Sequence, residues 1–283
     1  MTADELLPPL IHAQRGPLPV LLSVPHSGRD YPAWLIDMAR SGRSSLEALE
    51  DRLVDRMVWR ALAAGCGAVI ARAPRAAVDC NRAEEECDPA VIDGARQAGI
   101  SARARGGLGI VPARTRDHGY LWRRSISTVQ LEERLAVAYR PYHSAIEREL
   151  TAIRRRFGCA LLLDCHSMPP PKPGVTRIVI GDAHGRSARH WLSQQALEIC
   201  QANGIAAGLN DPFAGGHILA RHGHPGADVH ALQLEVDRSL YLDRALKQPG
   251  PGFDRVAELI ESLARGLGET LAERANPTAT AAE

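Results

Sequence analysis

The sequence predicts an α/β layered fold, and three observations carry that expectation. Short apolar runs alternate with longer segments of helical period along most of the chain. The run Ala160-Leu161-Leu162-Leu163 is apolar without a break, which requires cover on both faces, as in the middle of a helix-flanked sheet. Polar residues gather where such runs end, at His26, at Asp164-Cys165-His166 and at Glu235. In open α/β sheets the ligand crevice lies beyond the carboxyl ends of the strands.

Taken in order, residues 20–24 form the first strand and open into the loop His26-Ser27-Gly28. Residues 46–64 form a helix, with Leu49, Leu53, Met57 and Leu62 near helical spacing, and Gly65 and Gly67 stop it. A second strand covers 68–71, and residues 83–128 are loop-rich, with the run Arg105-Gly106-Gly107-Leu108-Gly109 irregular. A long helix spans about 131 to 157, followed by the strand from 160 that ends in polar groups. A strand at 177–181, a helix at 188–203, a glycine-rich loop at 208–225, a strand at 231–236 and a helix at 253–272 complete the pattern. No repeat, long linker or composition break appears, so one domain is expected over 1–283, with an ordered core of about 17–275 and a frayed tail at 276–283.

Composition narrows the function. With 34 basic and 33 acidic residues the net charge is +1, so no global field draws in nucleic acid or an anionic membrane, and neither partner is expected. The apolar runs are far too short to span a bilayer, and the N-terminus lacks the basic start and apolar stretch of a secretory signal. The six cysteines include no C-x-x-C pair and are expected to be reduced thiols, which suits a cytoplasmic protein. Lys172 and Lys247 are the only lysines, so arginine supplies nearly all the basic charge, in a planar form suited to carboxylates.

Imidazole and carboxylate together are what zinc selects, and a catalytic zinc keeps three protein ligands and a water. His26 and His166 are the nitrogen candidates. Asp51 and Asp55, one helical turn apart, are the acidic candidates, and from spacing alone a solvated pair is as good a reading as a ligand. No H-E-x-x-H or H-x-x-E-H helix occurs. The group His217, His222, His224 and His230 sits in or near the glycine-rich loop, where solvated or positioning roles are expected. Nucleophilic chemistry is disfavoured: there is no G-x-S-x-G elbow or phosphate loop, and Cys165 and His166, adjacent in a strand, point to opposite faces.

Several segments together resemble the N-formylglutamate amidohydrolase family. They are Val24-Pro25-His26-Ser27-Gly28, Glu50-Asp51 with Val54-Asp55-Arg56, Pro74-Arg75 with Val78-Asp79-Cys80-Asn81-Arg82, and Tyr142-His143. Asp164-Cys165-His166-Ser167-Met168-Pro169, Gly181-Asp182 with Gly185, Asn210, Pro212-Phe213, Gly215-Gly216, Ala231-Leu232-Gln233-Leu234-Glu235 and Ser239-Leu240-Tyr241 follow in the family's order. That family is similar in turn to the wider zinc carboxypeptidase and aspartoacylase group. The resemblance implies a single three-layer domain with a mixed, mostly parallel sheet between helices.

It also implies one zinc ion held by His26, Asp51 and His166, with Asp55 as the alternative acid. Position 29, where the carboxypeptidase spacing has an acid, is arginine. Asn81 and Arg82 correspond to the pair that grips the substrate carboxylate, and Arg75 to the arginine that polarises the scissile carbonyl. Arg221, after the Gly215-Gly216 loop, corresponds to an arginine for a second carboxylate, while His217 stands where an aromatic residue is expected. Glu235 corresponds to the general base. The implied reaction is cleavage of N-formyl-L-glutamate to formate and L-glutamate, the last deformylation of histidine degradation. The rival readings are a hydrolase of another N-acyl amino acid or small amide, and a metal-binding protein without catalysis. The expected partner is a small N-acyl amino acid; oligomeric state is not legible.

Overall fold

Seven strands make one sheet, because their apolar runs can hide both faces only between other layers. The computed structural model describes residues 5–95, 102–172 and 174–275. In chain order the strands are β1 (Leu10–His12), β2 (Val20–Val24), β3 (Gly67–Ile70), the small pair β4 (Arg114–Thr115) and β5 (Gly119–Tyr120), β6 (Ala160–Met168), β7 (Ile178–Gly181), β8 (Ala207–Leu209) and β9 (Val229–Asp237). The main sheet runs β1-β3-β2-β6-β9-β7-β8, and β4 and β5 form a separate antiparallel ribbon. Pairing is parallel for β2 with β6, β6 with β9 and β7 with β8; β7 runs antiparallel to β9. The fold is α/β, with a mixed, mostly parallel sheet flanked by helices, as the sequence predicts.

The helices are α1 (Ala33–Met38), α2 (Gly42–Glu47), α3 (Val54–Met57), α4 (Trp59–Ala63), α5 (Ala102–Arg105), α6 (Thr128–Arg134), α7 (Arg140–Phe157), α8 (His190–Ala202), α9 (His217–His222) and α10 (Phe253–Ala275). Contacts divide the chain into two compact units, each assembled from three stretches. The first comprises Met1–Leu10, Pro25–Glu50 and Ile70–Ser144; the second comprises Ile11–Val24, Asp51–Val69 and Ala145–Glu283 and holds the sheet.

In the second unit, α10 packs against α4, α8 and β6, and α9 packs against β6 and β9. Strand alternation gives the sheet two unlike faces. Val20, Leu161, Leu163, Cys165, Leu232 and Leu234 share one face, toward α10, whose Gly268 lies so close that a β-carbon there would meet Val20 at 2.8 Å. Cys165 is on that apolar face, its thiol donating to the Leu163 carbonyl at 3.6 Å and pushed up by burial, so it forms no pair with His166. The opposite face carries the polar groups described below.

The first unit buries its core among loops. Leu35, Leu46, Ala77, Ile110, Leu121 and Tyr139 belong to one apolar cluster. The loop-rich stretch expected at 83–128 is therefore packed, with Ile92, Ile110, Leu121 and Ile126 nearly inaccessible. Its indole donor Trp122 Nε1 is satisfied by the Pro112 carbonyl at 2.6 Å.

Four expectations change. The helix at 46–64 is broken into α2, α3 and α4, because Leu53 takes a left-handed φ of 63° and ends any continuous ladder. The helix expected from 131 starts at Thr128, where Ser127 and Gln130 form a reciprocal capping box, and it widens into a π segment at Leu135–Tyr139 before α7. The glycine-rich stretch at 208–225 contains α9 and the end of β8. Strands β6 and β9 run on past their expected ends, to Met168 and Asp237. The tail at 276–283 lies outside the described residues.

Candidate active site

Register builds a polar cluster in the second unit. Ser23 pairs with Asp164, Asp164 with Gln233, and His166 with Glu235. Residues in register and residues two apart share a face, so all five side chains stand on the sheet face opposite α10. His166 is the hub: its Nε2 lies 2.8 Å from Asp164 Oδ2, and its Nδ1 lies 3.0 Å from Asp51 Oδ2. Ser23 Oγ donates to Asp164 Oδ1 at 2.6 Å, and Gln233 Nε2 donates to Glu235 Oε1 at 3.0 Å. All five are buried.

Asp51 reaches this stripe because the chain leaves its helix. It sits in the turn before α3, where the left-handed Leu53 costs about 1–2 kcal/mol in a residue with a β-carbon. Fixed contacts hold the turn: Arg52 Nε donates to the Lys247 carbonyl at 2.7 Å, and Tyr241 donates its hydroxyl to the Arg52 carbonyl at 2.8 Å. Asp51 Oδ1 accepts from Ser167 Oγ at 3.2 Å and from Arg238 Nη2 at 3.3 Å. Asp55, the alternative acid, lies in α3, and the carboxylate against His166 belongs to Asp51.

Burial opposes charge on the His166 ring, but the charge and hydrogen bond of Asp164, the hydrogen bond to Asp51 and the charge of Glu235 outweigh it. They hold the imidazole well above its usual range. A buried ring between two carboxylates demands a cation at its centre, either a proton on Nδ1 or a metal in its place. With Asp164 fixing Nε2, Nδ1 and an Asp51 oxygen are disposed as co-ligands, the usual carboxylate–histidine–metal order. This donor set fits a zinc ion.

A second polar cluster belongs to the first unit and is built on loops. His26 follows β2 by two residues, and its Nε2 lies 2.7 Å from Asp79 Oδ1. Asp79 also accepts from Arg75 Nε at 2.9 Å and from the Asn81 backbone N–H at 2.8 Å. It is fully buried, which alone would raise its pKa; the charges of Arg75, His26 and Arg82 overcome that and hold it well below the usual carboxylate range. Arg82 donates from Nε to the Leu108 carbonyl and from Nη1 to the Asn81 carbonyl, both at 2.7 Å, and its own carbonyl accepts from Tyr139 Oη at 2.7 Å. Gly28 lets the His26 loop lie on the 72–73 backbone: a β-carbon there would stand 2.3 Å from the Ala73 carbonyl oxygen.

The structure thus brings Asp51, His166 and Glu235 together in one unit, and His26, Arg75, Asn81 and Arg82 together in the other. Gly215, with φ 125°, and Gly216, the N-cap of α9, belong to a loop held against Gly181, the register partner of Gln233. Arg221 is elsewhere. Its Nε and Nη2 both meet Glu147 Oε1, at 3.0 and 2.9 Å, beside a cavity of about 590 Å³ shared with Gly158 and Val229. Gly158 and Val229 mark the amino ends of β6 and β9, whereas His166 is six residues further along β6, about 20 Å at 3.3 Å per residue. His222 and His230 are buried and pushed down, to about 3 and about 4, by burial and then by Arg221 and Arg189 respectively, so neither supplies a cation near neutral pH.

Sequence reasoning gave no role to Asp79, Asp164, Ser167, Gln233 or Arg238. A signal existed for two of them: Asp164-x-His166 and Gln233-x-Glu235 are polar at period two inside apolar strands.

The N-formylglutamate amidohydrolase family model matches residues 18–242, which includes His26, Asp51, Arg75, Asn81, Arg82, His166 and Glu235. The chain belongs to the N-formylglutamate amidohydrolase family. Within that family it is 30% identical over 240 residues to an N-formylglutamate deformylase of Pseudomonas putida, covering 81% of this chain and 84% of the relative. It is likewise 30% identical over 268 residues to the N-formylglutamate deformylase of Pseudomonas aeruginosa, with 91% and 94% covered. The crystal structure of an N-formylglutamate amidohydrolase from Ralstonia eutropha JMP134 superposes with a TM-score of 0.85 at 25% identity, covering 94% of this chain and 99% of that one. Among the described residues, no helix is long and apolar enough to cross a membrane.

Proposed function

We propose that this chain is a zinc-dependent hydrolase that cleaves the formyl amide of N-formyl-L-glutamate to formate and L-glutamate. The observation that carries the reading is the buried His166 ring between Asp51 and Asp164, in register with Glu235, in a member of this family. His26, Asp51 and His166 would hold the ion, their outer nitrogens braced by Asp79 and Asp164. When bound, the ion supplies Lewis-acid polarisation and lowers the pKa of a water.

The chain's own residues do the rest. Glu235, oriented by Gln233, takes the proton from the attacking water and delivers it to the departing amine nitrogen. The Arg75 guanidinium stabilises the oxyanion that develops on the formyl carbonyl, and its bond to Asp79 fixes its direction beforehand. Asn81 and Arg82 grip a substrate carboxylate, Arg82 held in place by two backbone carbonyls. The Gly215-Gly216 loop lets substrate approach the backbone closely. The resemblance gives Arg221 to a second carboxylate, but its pairing with Glu147 at the amino ends of the strands, about 20 Å from His166 along β6, does not support that role.

The proposed unit of activity is a single hydrolase domain over 1–283. The proposed setting is the cytoplasm, in keeping with six free cysteines, and the proposed role is the last deformylation of histidine degradation. The test is metal analysis of purified protein together with an amide-cleavage screen over N-formyl and N-acetyl amino acids. One zinc per chain and highest kcat/KM on N-formylglutamate are expected. Preference for an N-acetyl substrate would replace the formyl reading, and a metal-bound chain that cleaves nothing would replace the catalytic one.

A further inference from the structure

Asp51 is held more tightly than ligation alone requires, and the residues that hold it lie outside the set assigned above. Arg238, just past the end of β9, donates from Nε to Ser167 Oγ at 3.1 Å and from Nη2 to Asp51 Oδ1 at 3.3 Å. Ser167 in turn donates its hydroxyl to the same Asp51 Oδ1 at 3.2 Å. Arginine, serine and carboxylate close a ring of hydrogen bonds. Oδ1 carries both donors, and Oδ2 is left facing His166 Nδ1 at 3.0 Å. Ser167 is buried and Arg238 largely so, at 14% side-chain exposure, which keeps water from replacing either donor freely.

We propose that Arg238 and Ser167 form a positioning clamp that pins Asp51 through Oδ1 and presents Oδ2 as a single ligand oxygen. The inference rests on the zinc reading of this site and extends it to residues that would touch neither metal nor substrate. Two physical effects of Arg238 oppose each other here. Its positive charge close to the site repels a divalent cation, so charge alone makes Arg238 weaken zinc binding. Its fork removes rotational freedom from Asp51, so geometry makes it strengthen zinc binding. The turn around Asp51 favours geometry. Leu53 is held in a left-handed conformation to bring Asp51 here, and a carboxylate that could swing away from His166 would forfeit that placement.

The two effects separate in two variants. Arg238→Lys keeps the charge and loses the fork, and Arg238→Met loses both. Zinc dissociation constants are measured by chelator competition on the full-length chain, with the apo-protein melting profile recorded alongside to confirm folding. The clamp predicts that both variants weaken zinc by about 10–100-fold, the usual consequence of removing a residue that orients a ligand. Ser167→Ala, the milder variant should the arginine changes impair folding, is expected to weaken it by about 3–10-fold at an unchanged melting profile. Met tightening zinc while Lys matches wild type would show a charge effect only and overturn the clamp. Unchanged zinc constants with a raised KM would instead make Arg238 a substrate contact and also overturn it. A wild-type chain that binds no zinc would defeat the zinc reading itself, whereas normal wild-type binding with unaffected variants defeats the clamp alone.

Discussion

The polar stripe of the sheet and the arginine-rich cradle of the first unit both place a histidine against a buried aspartate, yet they reach that arrangement by different physics. In the sheet, His166 and Asp164 are two residues apart on one strand, and hydrogen-bond register sets Ser23, Gln233 and Glu235 beside them. Any one of these side chains can be lost while the strands keep the others in place. In the cradle, His26 and Asp79 are 53 residues apart and joined by loops, so Asp79 itself fixes the geometry by accepting from His26, Arg75 and the Asn81 backbone. A site on strands stores its precision in the backbone, and a site on loops stores it in one buried charge.

Removing that charge is the sharpest way to break the comparison. Asp79→Ala leaves the Arg75 and Arg82 guanidinium groups without their buried counter-charge and is expected to cost about 3–5 kcal/mol of stability, read by denaturant unfolding. The pH dependence follows from the same group. Its folded pKa lies below the ordinary value of 3.8, so its stabilisation is fully present above that value and is lost as pH falls below it toward the folded pKa. Asp79→Asn should therefore flatten the acid limb of the stability profile below about pH 4. An unchanged acid limb would mean that Asp79 does not anchor the cradle.

A milder pair of changes compares the two clusters directly. Gly28→Ala places a β-carbon 2.3 Å from the Ala73 oxygen and 2.4 Å from the Arg72 oxygen, both backbone atoms, and should cost about 1–3 kcal/mol through forced backbone movement. Ser23→Ala removes one donor to Asp164 from the strand framework and should cost about 1 kcal/mol. Equal unfolding midpoints for the two variants would erase the distinction between loop-built and strand-built precision.

The same distinction explains what the sequence could tell. Short runs rich in apolar residues revealed β2, β6, β7 and β9, and polar residues at or near the ends of those runs marked His26, His166 and Glu235. The placement of Asp51 was hidden. Leu49, Leu53 and Met57 continue a helical period straight through it, and only tertiary contacts to Arg52 and Asp51 turn Leu53 left-handed. Arg75, Asn81 and Arg82 lie on loops without periodicity, so the family resemblance alone singled them out. Sequence order also conceals distance: Arg221 lies in the last turn of α9, just after the Gly215-Gly216 loop, yet pairs with Glu147 beside the amino ends of β6 and β9.

The central claim is that the sheet face holds a metal ligand and a separate proton carrier side by side, His166 and Glu235. Glu235→Gln separates them, because it keeps the shape and the capacity to bond Gln233 while removing the base. The measurement is kcat on N-formylglutamate together with zinc content in the same preparation. The account predicts a fall in turnover of about 10²–10⁴-fold with zinc content and unfolding midpoint near wild type. Near-normal turnover, or loss of zinc along with activity, would contradict it.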